Sequence, residues 1–440
     1  MSSHPVRKKK LACWGNYPRC ACTLHSFDHP QALREIIQRH KNLIPYGNGR
    51  SYGDSALSDH LIALKPYNYF LDFNDQTGLL HCQAGVLLEE ILHVFLPQGW
   101  FLPVTPGTKY ITVGGAIASD VHGKNHHVAG AFSDHLIDFH LMLPDGQIVS
   151  CSPHENRDLF LATCGGMGLT GVILDARFRL QPIHSSMIDQ VMVKTVNLRE
   201  TFEAFEHYRD FPYSVAWIDC LAKGENLGRS LLMAGDHATD GNLSYETGSG
   251  PSVPVELPSF VLNHYTVKAF NTLYYGKAPE GLSRKKVTIE QFFYPLDAIG
   301  NWNRIYGRRG FTQYQFVLPR EKSYEGLQRI LARIAASGKG SFLAVLKLFG
   351  KGNACWLSFP LEGYTLALDF KIEPGLFPLL EELDRLVLEH GGRFYLTKDV
   401  RVRPECFERG YPAISQFRDL RRRYDMTEKF NSLQSRRLGI

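Results

Sequence analysis

Three glycine-rich segments carry the residue types best suited to holding an anion. Residues 45–54, Pro-Tyr-Gly-Asn-Gly-Arg-Ser-Tyr-Gly-Asp, follow the short hydrophobic pair Leu43 and Ile44. Gly47, Gly49 and Gly53 let a turn take left-handed angles and bring backbone N–H groups close to a diphosphate. Ser51 and Tyr52 add hydroxyl donors and Arg50 a fixed charge, and no Gly-Lys-Ser/Thr follows as in a Walker loop. The second segment, 103–123, holds the turn signal Pro106-Gly107 and a helix N-cap in Thr112. In it Gly114-Gly115-Ala116 lets a helix start pack closely against a ligand. The third, 164–173, reads Cys-Gly-Gly-Met-Gly-Leu-Thr-Gly-Val-Ile. Three such loops, each beside a strand or helix start, predict one long dinucleotide lying across them.

The third loop formally matches the Rossmann glycine pattern at Gly166, Gly168 and Gly171. That fingerprint needs a strand before it and a helix after it. Here 156–163 reads as a helix and 172–178 as a strand, the reverse order, so a nicotinamide site is rejected.

Polar side chains inside apolar strands form a second group. Gln313 and Gln315 alternate with Tyr314 and Phe316, so both amides share one face and need partners there. Lys347, between Leu346 and Leu348, is costly to bury unless it is paired or faces a pocket. His122, with the adjacent His126 and His127, offers no carboxylate or thiolate partner, and no metal centre is expected.

The elements that must position these residues follow from pattern. Residues 28–42 read as an amphipathic helix with Asp28 as N-cap and Leu33, Ile36 and Ile37 as its apolar stripe. Strands are expected at 61–64, 70–73 and 79–84, a helix at 87–96, and a hairpin of 137–143 and 147–151 joined by Pro144-Asp145-Gly146. Beyond residue 184 strands are expected at 191–196, 215–220, 231–234, 287–293, 311–318, 343–349, 355–359, 364–370 and 393–396. Helices are expected at 198–208, 321–337 and 374–390 and in the basic tail. Stretches 239–258 and 276–286 read as long, mobile loops of the lid type. The 440 residues allow two or three cores, and the mixture is α+β.

A formal charge of +5 is too mild for a nucleic-acid binder, and 44% hydrophobic with 21% charged residues is ordinary for a globular protein. The nine cysteines show no metal-type spacing and read as reduced thiols. The basic run 7–10 lacks the apolar core of a signal peptide, and no long apolar run is expected to span a membrane.

The three loops in this order resemble the FAD domain of the vanillyl-alcohol-oxidase, or PCMH, class of flavoproteins. Four further segments, 114–127, 311–317, 346–350 and 391–399, narrow the resemblance to the flavin oxidase subunits of decaprenylphosphoryl-ribose epimerases, from about Trp14 to the C-terminus. The resemblance implies a PCMH-type FAD-binding domain at 1–183, a substrate domain with an antiparallel sheet at 184–392, and a segment 393–440 that returns to the FAD domain. It implies flavin contacts from Gly47, Asn48, Gly49, Arg50, Ser51 and Tyr52 in the first loop. The second would supply Pro106, Gly107, Thr108, Val113, Gly114, Gly115, Ala116, Ser119, His122, Gly123 and Asn125. Gly168, Gly171, Val172 and Ile173 in the third, and Tyr395 and Lys398 near the end, complete the set.

The implied chemistry is oxidation of a sugar hydroxyl, with hydride passing to flavin N5. Lys398 would stabilise the anionic reduced ring and hold the sugar oxygen. His122 would be a general base or a hydrogen-bond donor to substrate, and Lys124 would meet a phosphate or a sugar oxygen. Tyr52 and Trp217 match family positions lining the site, and Gln313, Gln315, Lys347 and Asp369 complete it. Departures are Thr365 and Ala367 where actinobacterial members carry Asn and Cys, and Phe293 where they carry Tyr. Arg50 stands where many relatives attach FAD through a His, so FAD is expected to bind non-covalently.

The leading expectation is an oxidase of a polyprenylphosphoryl pentose, producing a 2-keto sugar, with a separate short-chain reductase completing the epimerisation. An oxidase of free alditols or aldonolactones is the alternative, and a flavin-binding scaffold without turnover is a weaker one. The lipid carrier implies a cytoplasmic protein in peripheral contact with the inner face of the plasma membrane.

Overall fold

The computed structural model describes residues 8–440 apart from 247 and 249. Leu43–Tyr46 runs parallel to His60–Ala63, which is also parallel to Cys20–Ser26, and Lys9–Leu11 closes this four-stranded sheet. Helix Pro30–Arg39 buries Leu33 and Ile37. Its N-cap is His29, whose ring Nδ1 accepts the Ala32 N–H at 3.2 Å, and not Asp28. Pro30 is the reason: it occupies the first helical position, so the cap falls on the residue just before it.

A second, antiparallel sheet runs in the order Phe70–Asn74, Leu79–Gln83, Val172–Arg179, Leu136–Met142, Ile148–Cys151. Helix Arg157–Thr163 precedes Val172–Arg179, the reverse of the Rossmann order.

The third sheet has eight antiparallel strands, and one register row across it explains its role. Trp217 pairs with Val345, Val345 with Ala367, and Ala367 with Gln315, so these four side chains share one face. Lys347 pairs with Thr365 on that same face. The intervening residues Leu346, Leu366, Leu368 and Phe316 are fully buried on the other face, which helices Leu198–His207, Arg320–Ser337 and Leu376–Glu389 cover. Strict period-2 alternation therefore sends the apolar set to the helices and the polar set toward the glycine-rich loops.

Three expected elements differ. Residues 276–286 are not a long loop: they complete helix His264–Lys277, turn, and enter strand Leu282–Thr288, which pairs with Met187–Thr195. Only Val287 of this strand is buried, and Arg284, Lys285 and Lys286 give it the charge typical of a sheet edge, which masks its pattern. The expected strand 287–293 is instead the end of that edge followed by helix Ile289–Phe293, capped by Thr288. Residues 355–359 form turns, because the Trp356 N–H donates to Leu161 O and Ser358 to Asp120 Oδ2, which commits them to loop geometry. The described residues of 239–258 carry no helix or strand, and the carbonyls of Asn242 and Ser244 accept from Ser186.

The C-terminal segment closes on the first sheet. Leu43 donates to Lys429 O at 2.8 Å, Asn431 to Leu43 O at 2.9 Å and Tyr52 to Thr397 O at 3.0 Å. Arg437 bridges Asp54 and Asp399, both at 2.9 Å.

Candidate active site

The first loop begins where strand Leu43–Tyr46 ends. A Cβ on Gly47 would lie 2.4 Å from Thr112 Oγ1, and Gly49 has φ +61°, so both positions need glycine. Among the described residues, the backbone N–H groups of residues 47–51 meet no acceptor, and the Ser51 hydroxyl is buried without a partner. A buried donor left this way is rare and points to a missing acceptor. The Arg50 guanidinium lies 4.0 Å from the centre of the Trp14 ring and 5.2 Å from that of Tyr110, a stacked cation beside these donors. This set fits a diphosphate.

The second loop behaves differently. Thr112 caps helix Val113–Ala118, accepting the Gly115 N–H at 3.1 Å, while Val113 and Gly114 donate to the carbonyls of Val86 and Ala84. The helix start thus has its donors occupied and contributes surface rather than anion binding. Gly107 is open: a Cβ there would meet nothing within 4 Å. In the third loop Gly168 has φ +75° and faces Pro45, whereas a Cβ on Gly171 would strike Met142 O at 2.6 Å.

One cavity of about 520 Å³ touches all three loops, the 395–398 turn and the polar row of the large sheet. Its size is ordinary for a bound cofactor and substrate, roughly 300–1,000 Å³. Of the residues expected to bind flavin or substrate, most lie on its wall. Val113 and Ala116 do not, since both point into the core, and Val172 faces away where its neighbour Ile173 faces in. Gly123 and Asn125 are off the wall as well: Asn125 donates to Pro103 O at 2.8 Å and packs against Gly123, bracing the second loop from behind. Asp369 also stands behind the wall, held by Gln313 Nε2 at 2.6 Å.

At the sheet end of the cavity the polar residues form a linked set. Gln315 donates its amide to His122 Nε2 at 3.1 Å and to Thr365 Oγ1 at 3.3 Å, and Thr365 donates to Phe316 O at 2.8 Å. The proton of His122 is thereby assigned to Nδ1, which is buried and unpartnered. Burial, then Lys347, holds His122 well below the usual imidazole range. This arrangement suits a hydrogen-bond donor, and it leaves the lone pair of Nε2 already engaged.

The lysines converge on the same space. The Lys398 ammonium sits 3.7 Å from the centre of the Tyr52 ring. Burial and the neighbouring Lys347 pull Lys398 down, opposed by Asp369, whose own carboxyl burial pushes up. Burial lowers Lys347 to about 8, and burial plus Lys347 lowers Lys124 to about 7. Lys124 is tied to the Phe292 carbonyl at the cavity edge. Phe293 fills the wall between Phe101 and Tyr213, and the Trp217 indole donates to Phe342 O at 3.0 Å. Lys347 repels both Lys124 and Lys398 around this cavity, a cluster suited to anionic or electron-rich occupants.

Sequence reasoning passed over several wall residues. Trp14 lies far from Arg50 in the chain, with no periodic signal to link them. Asp297, which accepts the Lys109 N–H at 2.9 Å near Arg50, sits in an irregular turn. Phe270 and Tyr274 belong to a helix the pattern did not reveal. Asp120, fully buried, receives Ser358, Asn353 and the Ser133 N–H, and so anchors the turn that presents His122.

Comparison with known proteins agrees with this geometry. Residues 24–152 match the FAD binding domain family. The decaprenylphosphoryl-β-D-ribose oxidase of Mycolicibacterium smegmatis is 37% identical, over 99% of this chain and 98% of that protein. The L-gulonolactone oxidase of Mus musculus is 24% identical, over 90% of each chain. A putative D-arabinono-1,4-lactone oxidase of Neurospora crassa is 27% identical over 40% of this chain and 33% of its own length. FAD is therefore the cofactor, and the chain belongs to the family of FAD-dependent decaprenylphosphoryl-β-D-ribose oxidases.

Proposed function

We propose that the protein oxidises the 2′-hydroxyl of a polyprenylphosphoryl pentose to a ketone, the first half of an epimerisation that a separate short-chain reductase completes. The observation that carries this reading is 37% identity over 99% of the chain to a decaprenylphosphoryl-β-D-ribose oxidase, joined to a cavity whose polar end gathers Lys347, Lys398 and the two glutamines. In this reading residues 1–183 and 393–440 hold the cofactor, and 184–392 form the substrate domain.

Bound FAD supplies the two-electron acceptor for the carbon-bound hydrogen. The chain supplies the rest. Lys398, with its ammonium pKa lowered by burial, takes the hydroxyl proton in its neutral form and then faces the developing negative charge as a cation. Asp369 steadies that charge state through its field and holds Gln313 in place. Gln315 fixes the tautomer of His122, which donates from Nδ1 to an oxygen in the cavity. Lys124 and Lys347 meet the phosphate or sugar oxygens. Thr365 and Phe293 shape the sugar pocket without adding charge.

Arg50 supports non-covalent FAD, since a guanidinium does not form the bond that a histidine forms at that place. Acid precipitation should release all the flavin into the supernatant, and a yellow pellet would refute this. No helix among the described residues is long and apolar enough to cross a membrane, which is compatible with peripheral contact.

The test is the anaerobic visible spectrum of the purified protein with a short-chain polyprenylphosphoryl ribose, and in parallel with xylitol and an aldonolactone. Bleaching by the lipid-linked sugar alone is expected. Bleaching by xylitol or the lactone instead would favour the second reading, a free-polyol or lactone oxidase, to which the mouse enzyme is the relevant relative.

A further inference from the structure

Helix His264–Lys277 is arranged inside out. Its buried positions are Val267 and Asn271, and Asn271, 1% exposed, donates to Asp219 Oδ1 at 2.8 Å. Facing outward are Tyr265 at 81% exposure, Leu273 at 63%, Phe270 and Tyr274. Surface helices ordinarily bury their apolar stripe and expose the polar one. The same neighbourhood in the chain adds exposed Val255, Phe260 at 74% and Leu282. Large apolar side chains exposed along one helix mark an interaction site.

Two further observations say what covers it. The helix has no acidic residue but carries exposed Lys268 and Lys277, and Arg284 and Lys285 follow on the edge strand. The face is also continuous with the cavity. Phe270 and Tyr274, stacked at 5.7 Å, line its mouth. From there an aromatic row lines the cavity inward through Phe342, 5.6 Å from Phe270, and Trp302 to Tyr52.

We propose that this helix is the surface by which the protein lies on an anionic lipid bilayer, so that a lipid-borne substrate passes from the bilayer along the aromatic row to Tyr52. The inference rests on the reading of a lipid-linked sugar as substrate. Apolar and aromatic side chains seat in the headgroup boundary, while the lysines of a helix that itself has no carboxylate meet anionic lipid, Glu280 beyond its end being paired with Lys194, the combination that holds interfacial helices. The apolar face stays exposed in the protein alone because its occupant is the membrane.

The experiment is co-sedimentation of the flavin-loaded protein with vesicles of phosphatidylcholine, with and without phosphatidylglycerol, in the absence of substrate. Wild type should sediment with the phosphatidylglycerol vesicles, and salt should weaken this. The double variant Tyr265→Ser/Leu273→Ser, and separately Lys268→Glu, should each reduce binding about tenfold or more. None of these side chains lines the cavity, so bleaching by a water-soluble short-chain lipid-linked sugar should stay within about twofold, and melting temperatures should not move. No vesicle binding by wild type, or equal binding by both variants, overturns the proposal. So does concentration-dependent self-association that the double variant abolishes, which would make the face a contact between copies. Failure of the lipid-linked sugar to bleach wild type would sink the functional reading while leaving the vesicle result to be judged on its own.

Discussion

At the scale of single residues, the site works by keeping lysines where water cannot fully solvate them. Lys398→Met removes the group facing the developing charge, and kcat/KM should fall about 10²–10³-fold with flavin content unchanged. A fall of less than about fivefold would remove Lys398 from the reacting centre. The same burial has a consequence for stability. Lys347 ionises at about 8 in the folded protein and near 10.5 unfolded. Between those values the unfolded chain holds the extra proton, so the Lys347 contribution to stability rises with pH from about 8 to 10.5 and is flat below 8. Lys124, lowered to about 7, acts in the same direction. Denaturant titrations of the flavin-free protein across this window should show that rise, and Lys347→Met should flatten part of it. An unchanged slope would mean that Lys347 is solvated.

At the scale of elements, the first and second loops depend on one contact. A Cβ on Gly47 would collide with Thr112 Oγ1, the atom that caps helix Val113–Ala118. Thr112→Ala alone should cost about 1 kcal/mol through the lost cap. Gly47→Ala alone should cost more, about 1–3 kcal/mol from overpacking, and should shed flavin during purification. Because Thr112→Ala removes the atom that the added Cβ of Gly47→Ala strikes, the double variant should recover part of the loss. Simple additivity in thermal melts would show that the loops do not share this contact.

At the scale of the whole molecule, the chain end locks the cofactor domain. Arg437 joins Asp54, beside the first loop, to Asp399, beside Lys398, so residues far apart in sequence hold both sides of the cavity. Removing one partner of a buried ionic network leaves uncompensated charge and costs about 3–5 kcal/mol. Arg437→Leu should therefore lower the melting temperature and weaken FAD retention together. A lower melting temperature with flavin fully retained would separate the latch from the cavity.

How much of this was legible beforehand varies with the range of the interaction responsible. The glycine loops, the Thr112 cap, the Pro144-Asp145-Gly146 hairpin and the alternation of Gln313 with Gln315 are local, and the chain states them by spacing alone. The edge strand Leu282–Thr288 and the helix His264–Lys277 were not legible: the strand is mostly charged, and the helix wears its apolar residues outside. His29 capped the first helix because Pro30 overrode the better-looking Asp28.

The sequence by itself determined a set of loops for a long dinucleotide, the mixed α+β character and the face on which the polar strand residues stand, since each follows from glycine conformation and from periods of 2 and 3.6, while FAD in particular followed from the resemblance. Only the tertiary structure decided which of those residues meet. It put Asp369, Gly123, Asn125, Val113, Ala116 and Val172 behind the cavity wall, and brought Trp14, Asp297, Phe270 and Tyr274 onto it. Those placements depend on pairings between distant strands and on burial, and burial is a property of the packed molecule that no stretch of sequence contains.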